Sequence, residues 1–367
     1  MPKTFKAAVI GRTGRGDYGH GIHTVWREVP NVELVAVADD DRAGLAEAAK
    51  LLKVDKTYAD YRRMLDEVKP DVVGIGPRWI DQHREMVVAA AQRGIHIYME
   101  KPFCRTLAEA DEMIAACERS HVKLAIAHQT RYSPKLAVVK RLIAEGKLGR
   151  LIELRGRGKE DQRGGGEDLF VLGSHIMDLI LALGGLPAWC FASVLQDGKA
   201  ITASDVREGA EGLGPLAGDA VRAMYGLPNG VTAYFASNRN SGGGKRFGLQ
   251  ILGSEGILEM QTGYLPAVKF LADATWSPGR SGAKWQDVSS QGIGAPEPLT
   301  GDNAHEGNAL AVKDLLAAIE ENREPLDNMY EARGTIEMIM AVFESHRLGR
   351  SVPLPLEHRK HPLSMLT

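Results

Sequence analysis

The chain has 367 residues, 44% of them hydrophobic, and a formal net charge of −2, enough length for two domains with cores of their own. So balanced a charge excludes an electrostatic case for binding nucleic acid or an anionic membrane. The opening Met-Pro-Lys-Thr-Phe-Lys leads straight into a strand-like run, so neither a signal peptide nor a membrane span is expected.

Ala7 to Ile10 reads as a strand closed by Gly11. Gly14, Gly16, Gly19 and Gly21 follow, and then Ile22, Val25, Trp26 and Val29 recur on the spacing of one helix face. A second strand, Leu34 to Ala38, ends on Asp39. Strand, glycine loop, helix, strand and acid in this order are a dinucleotide-binding unit. The glycines let backbone N–H groups approach a pyrophosphate at a helix N-terminus. Gly14-x-Gly16-x-x-Gly19 fits the fingerprint, and Asp39, twenty residues beyond Gly19, is placed to bond ribose hydroxyls. Arg12 and Arg15 either assist the phosphates or are solvated.

Val72 to Ile75 reads as the next strand, with Gly76, Pro77 and Arg78 beyond its end as candidates for the nicotinamide side. Helix positions at Met86, Val87, Ala90 and Ala91 precede a strand from Ile95 to Met99. Glu100-Lys101-Pro102 follows at once, where proline ends the ladder and holds the residue before it extended. Lys101 therefore stands at the carboxyl edge of a sheet, where open α/β sheets bind ligands. His83 and His96 read as structural. Cys104 is close enough to this run to be weighed as a nucleophile, but a buried, inert thiol is the expectation. Cys104, Cys117 and Cys190 lack metal-ligand spacing; they point to a reducing, cytoplasmic setting and to no metal. A helix over 106–120 and a strand over 123–127 complete a doubly wound parallel sheet in a first domain over 1–128.

Over 129–367 the pattern changes. Leu151 to Arg157, Phe191 to Leu195, Ala220 to Tyr225, Val231 to Ala236 and Phe247 to Leu252 are strand-like and separated by hairpin turns. Strands in sequence without helices between them predict an open, mostly antiparallel sheet in an α+β domain. Its bare face offers an oligomer surface. Residues 276–299 read as a long loop, and 303–322 and 330–347 as helices.

The glycine loop, Asp39, Gly94-Ile-His-Ile-Tyr-Met-Glu-Lys-Pro102, Gly173-Ser-His-Ile-Met-Asp178, and the ending through Glu337–His346, Pro353–Leu356 and His361–Leu363 together resemble the glucose–fructose oxidoreductase / inositol dehydrogenase / MocA family. The resemblance covers nearly the whole chain. It implies NAD or NADP as cofactor, oxidation or reduction of sugars, cyclitols and related polyols, and dimers or tetramers. The expected cofactor contacts are then Gly11, Gly14, Gly16, Gly19, Asp39, Pro77, Arg78 and Glu100, with NAD preferred over NADP because Asp39 and Asp40 oppose a 2′-phosphate and only Arg42 favours one. His175, opening an apolar helix, is the expected base for the hydroxyl proton, and Lys101 is expected to stabilise charge on the hydroxyl oxygen. Arg163, Glu167 and Asp168 from the charged loop, with Arg131, are the expected contacts to a polar substrate. The family pattern puts an aspartate four residues before the histidine, where this chain has Val171; Asp178, one turn beyond, is another possible orienting group. Two alternatives stand beside the dehydrogenase: a redox-neutral enzyme that retains NAD and passes through a transient keto-sugar, and a nucleotide-binding regulator without turnover.

Overall fold

The computed structural model describes residues 3–301 and 303–367. Contacts divide the chain into two units: Met1–Gln129 with Ala210–Gly214 and Ala304–Arg333, and Thr130–Gly209 with Pro215–Asn303 and Gly334–Thr367.

In the first unit, Phe5–Ile10 (β1), Val32–Ala38 (β2), Lys56–Tyr58 (β3), Val72–Ile75 (β4), His96–Met99 (β5) and Leu124–Ile126 (β6) form one sheet in the order β3-β2-β1-β4-β5-β6. All pairings are parallel. Because β1 pairs with both β2 and β4, the strand order reverses there, and the carboxyl ends of these strands frame the crevice in which such sheets bind ligands. Val9, Val72, Val73, Ile97 and Tyr98 are inaccessible, as expected of strands covered on both faces. Helices Arg42–Leu52 (α1), Tyr61–Val68 (α2), His83–Ala91 (α3) and Leu107–Arg119 (α4) alternate with the strands. Three start at side-chain caps: Asp41, Asp60 and Thr106 accept from Gly44, Arg62 and Glu109 backbone N–H groups. Apolar spacing alone picked out neither α1, β3 nor α2, which carry few fully buried positions.

The helix expected over 22–29 does not form. Its place holds a single 3-10 turn, Val25–Arg27. Ile22, Val25, Trp26 and Val29 are buried as their spacing implied, but Gly21 at φ +88° and Pro30 leave only eight residues between two helix breakers, fewer than an isolated helix sustains. No α-helix N-terminus therefore follows the glycine loop.

The second unit is built on a sheet centred on Leu151–Arg157 (β7). Its neighbours are Gly248–Gly253, antiparallel, and Thr232–Asn238, parallel. Outward from these the sheet is antiparallel through Ala220–Gly226 and Trp189–Gln196 on one side and Ile257–Gln261 and Val268–Leu271 on the other. Alternate residues point inward: Val221, Ala223 and Tyr225 are buried while Arg222 is exposed. The covered face meets Pro134–Ala144 (α5), Gly166–Val171 (α6), Gly173–Gly184 (α7) and the long C-terminal helix Met329–Leu348; Tyr225 donates its hydroxyl to the Met338 carbonyl at 3.1 Å. The stretch expected as a loop over 276–299 instead contains a helical turn, Pro278–Ser281, and strands Gln286–Ser289 and Gly292–Ile293. Trp276 and Trp285 anchor it on Leu252, Ile257 and Leu271. Among the described residues no helix is long and apolar enough to cross a membrane.

Candidate active site

The glycine loop folds on itself before it meets the sheet. Arg12 and Asp17 bridge each other, and the Asp17 carboxylate accepts the Gly14 N–H at 2.9 Å. Gly14, at φ +78°, faces open space, with nothing within 4 Å of where a Cβ would lie. Gly11 lies under the Tyr18 ring, whose nearest carbon would be 2.1 Å from a Cβ, and Gly16 lies against the Arg78 and Trp79 backbone. Gly16 accepts the Arg78 N–H at 3.3 Å, which fastens the loop to the turn after β4. Gly14 is thus the open approach, whereas Gly11 and Gly16 permit close packing. Arg12 and Arg15 both bond Asp81, at 3.2 and 3.0 Å.

Asp39 is 2% exposed and accepts from Thr13 N–H, Thr13 hydroxyl and Asp41 N–H, at 3.1, 2.7 and 3.0 Å. Its carboxylate holds the loop to the start of α1 and retains little capacity for a further donor. Asp40 beside it is exposed. Both border a cavity of about 200 Å³, with Gly11, Ile10, Ala38 and Met86 among its walls. An apolar floor under the ends of β1 and β2 with acids on its rim fits the adenosine of a nicotinamide dinucleotide. Pro77 is buried and Arg78 half-buried at the neighbouring strand end.

Glu100 and Lys101 follow β5 and are 0% and 5% exposed. Burial alone would push the Glu100 carboxyl up, but hydrogen bonds and charge from His20, with Lys101 nearby, hold it below its ordinary value. His20 donates its backbone N–H and its ring Nδ1–H to Glu100 Oε1, each at 2.6 Å, and Lys101 N–H donates to Oε2 at 2.9 Å. His83 is fully buried; its Nε2 lies 2.8 Å from the Pro77 carbonyl and its Nδ1 3.0 Å from the Pro102 carbonyl. It thereby ties the turn after β4 to the turn carrying Lys101. Cys104 is buried and donates to the Thr106 carbonyl, and burial pushes its thiol up, so it is no nucleophile. His20 and Thr13 escaped the sequence reading because both sit inside a glycine-rich stretch whose pattern concerns backbone only. Two histidines within four residues of that loop were the available signal.

In the second unit, His175 lies in the first turn of α7, its ring edge-on to Phe247 at 6.2 Å between centroids. Val171, 4% exposed, ends α6, and Leu172 separates the two helices, so positions 171 and 175 do not share one continuous helix face. Asp168 is buried and accepts from Lys159 N–H, Glu160 N–H and the Ser237 hydroxyl, at 3.2, 3.0 and 2.5 Å. Burial raises its carboxyl and these bonds only partly offset that. Arg163 is bonded to Asp161 at 2.6 Å, and Glu167 lies 3.9 Å from Arg207. The charged loop is therefore paired partly within itself and partly with Ser237, Arg207 and Arg246 of the same unit. Arg131, 8% exposed, donates to the Asp178 carboxylate at 2.5 and 3.0 Å, a tie that holds α7 and gives Asp178 a partner other than the one weighed for it.

A family model described as the GFO/IDH/MocA oxidoreductase family, NAD-binding Rossmann fold, matches residues 5–128, and one for the GFO/IDH/MocA C-terminal domain matches residues 136–259. The chain is 35% identical to a D-apiose dehydrogenase of Paraburkholderia graminis over 147 residues, 40% of this chain and 38% of that protein. It is 29% identical to a levoglucosan dehydrogenase of Pseudarthrobacter phenanthrenivorans over 256 residues, 63% of this chain and 65% of that protein. Each match thus spans less than two thirds of the relative's length. A solved levoglucosan dehydrogenase in complex with NADH and L-sorbose shares the fold, with a TM-score of 0.77 over 96% of this chain and 99% of that one, at 21% identity. With both halves matched by models of one family and the parallel sheet ordered as a Rossmann fold, the chain belongs to the GFO/IDH/MocA family of NAD-binding oxidoreductases.

Proposed function

We propose that this protein is a nicotinamide-dependent dehydrogenase acting on a hydroxyl of a sugar, cyclitol or related polyol. The observation that carries this reading is a nearly buried lysine, Lys101, on the carboxyl edge of the same parallel sheet whose other strand ends border the adenosine-sized cavity. Relatives named as apiose and levoglucosan dehydrogenases support the substrate class.

Gly14 would admit the pyrophosphate, and the loop's packing through Gly11, Gly16 and Gly19 would hold it in place. When bound, the nicotinamide supplies the hydride acceptor. Lys101 Nζ donates to the substrate hydroxyl and stabilises negative charge on that oxygen, the more strongly for being withdrawn from water. His175, in the first turn of α7, is the candidate acid–base residue of the second unit. Asp39, Asp40 and Asp60 outnumber Arg12 and Arg62 around the cavity, which favours NAD over the extra phosphate of NADP. The bare face of the second sheet, with Phe191 46% exposed in register with Met224 and Tyr234, supports a homodimer or homotetramer. Three buried, free cysteines support a cytoplasmic location. Titration with both dinucleotides, followed by a panel of sugars and polyols, tests the reading. NAD should bind more tightly and be reduced; tighter NADP binding would overturn the preference.

A further inference from the structure

The bare face of the second sheet carries a group of cations that the proposed reaction does not use. Alternate residues of neighbouring strands share a face, and the register sets Arg155 of β7 beside Gln250, Gln250 beside Glu259, and Glu259 beside Lys269. One row on, Arg157 stands opposite Gly248, and Gly248 opposite Gln261. Gly248 adds no side chain to that second row, which leaves room between Arg157 and Gln261. Lys245 and Arg246, in the turn that leads into Gly248–Gly253, border the same hollow, a cavity of about 460 Å³. That volume lies in the range of sites for small metabolites.

Five cations, Arg155, Arg157, Lys245, Arg246 and Lys269, line this cavity with one carboxylate, Glu259. Glu259 already accepts the Gln250 amide at 2.6 Å. Arg157 and Arg246 share one further carboxylate, the wholly buried Glu160, at 2.5 and 2.9 Å, and Arg155 is paired with Glu153 at 2.7 Å. Lys245 is exposed, and its ammonium forms no ion pair among the described residues. Lys269 lies 4.0 Å from Asp287, whose side chain is 87% exposed, a pair too open to water to bind strongly. With Glu153, Glu160 and Glu259 set against the five, two positive charges stay uncompensated. Arg157 Nε, screened from water, has no hydrogen-bond partner among the described residues, and a buried donor left unpaired is costly. Phe191, Met224 and Tyr234 stand on strands beyond the other side of β7, so the cavity is separate from the apolar patch on which the oligomer reading rests.

We propose that this cavity is a binding site for a small organic anion with two or more negative charges, a phosphate ester or a polycarboxylate. The guanidinium groups of Arg157 and Arg246 present forked N–H donors that match the oxygens of either group. Lys245 and Lys269 add positive charge without a fixed direction. The Gln261 amide, in the row of Arg157, suits the hydroxyl-bearing remainder of such a molecule. The whole site lies in the second unit, and it does not depend on the dehydrogenase reading.

Calorimetric titration of the NAD-saturated protein at low salt, with glucose-6-phosphate, citrate and sulfate as probes, tests it. Saturation with NAD keeps the probes off the pyrophosphate position. Glucose-6-phosphate or citrate should bind about tenfold or more tightly than sulfate, and whichever does so tells a phosphate-ester site from a polycarboxylate site. Lys245→Glu should weaken that binding about tenfold or more, and Lys245→Gln by less, with Tm and NAD affinity unchanged in both. Organic probes that bind no better than sulfate would reveal an adventitious ion only and overturn the proposal. Binding undiminished in both variants would place the anion elsewhere and overturn it too. A wild type that takes up no probe, and an oligomer that dissociates in Lys245→Glu, would show that acidic residues of a second copy fill the cavity instead. Each of these failures leaves the reduction of nicotinamide untouched, so the dehydrogenase reading stands or falls separately.

Discussion

At the scale of a single residue the proposal rests on Lys101, whose surroundings set what its charge can do. At 5% exposure an ammonium interacts with a developing oxyanion through far less water than a surface lysine would. Lys101→Met retains most of the side chain's volume and removes the charge. It is expected to abolish turnover while leaving NAD affinity nearly unchanged, because the adenosine cavity lies at other strand ends; calorimetric binding beside steady-state rates separates the two. A Lys101→Met enzyme that kept its rate would make the lysine structural. Lys101 was legible in the sequence because proline marks the strand end unmistakably. Asp39 was legible as an acid just past the end of β2, but not as one already bonded to Thr13 and Asp41. Arg131, Arg163 and Asp168 were visible as charges, yet whether a charge faces a ligand or another charge depends on tertiary pairing that no local pattern encodes.

The glycine loop shows how an element can be right in composition and different in form. Its glycines serve distinct needs, and this can be measured. At Gly19 a side chain would meet both φ +62° and the Glu100 side chain and Gly76 carbonyl, 2.4 and 2.5 Å from its Cβ, whereas Gly14 at φ +78° meets nothing. Gly19→Ala is therefore expected to lose more stability in denaturant unfolding than Gly14→Ala, which bears only the backbone strain of order 1–3 kcal/mol. Equal losses would show that the loop does not rest on Glu100. Apolar spacing over 22–29 identified the buried residues correctly and the helix wrongly, because burial at those spacings can be met by a 3-10 turn between two breakers. The central strands of both sheets were legible from their runs of branched and aromatic residues. Ile257–Gln261 and Val268–Leu271 were missed, being short apolar runs that period alone does not assign.

For the molecule as a whole, each unit contains a histidine that the fold keeps neutral. Burial, aided by the Lys3 charge, lowers His96 to about 4, and burial alone lowers His361 to about 4. Both rings accept backbone N–H groups, from Lys123 and Leu363, which protonation would forbid. The unfolded chain takes up these protons below the ordinary value of 6.5, and the folded chain does not until about 4. Their contribution is thus complete above 6.5 and is lost as the pH falls from there towards 4. Tm should decline across that window, and less steeply in His96→Asn and His361→Asn; a decline unchanged in both would assign it to other groups. The central claim is the proposed reaction, and one measurement bears on it most directly: reduction of nicotinamide by the purified protein offered a panel of sugars, cyclitols and polyols. The account predicts reduced NAD with at least one of them, faster than with NADP and absent in Lys101→Met. Tight dinucleotide binding with no reduction across the panel would contradict it.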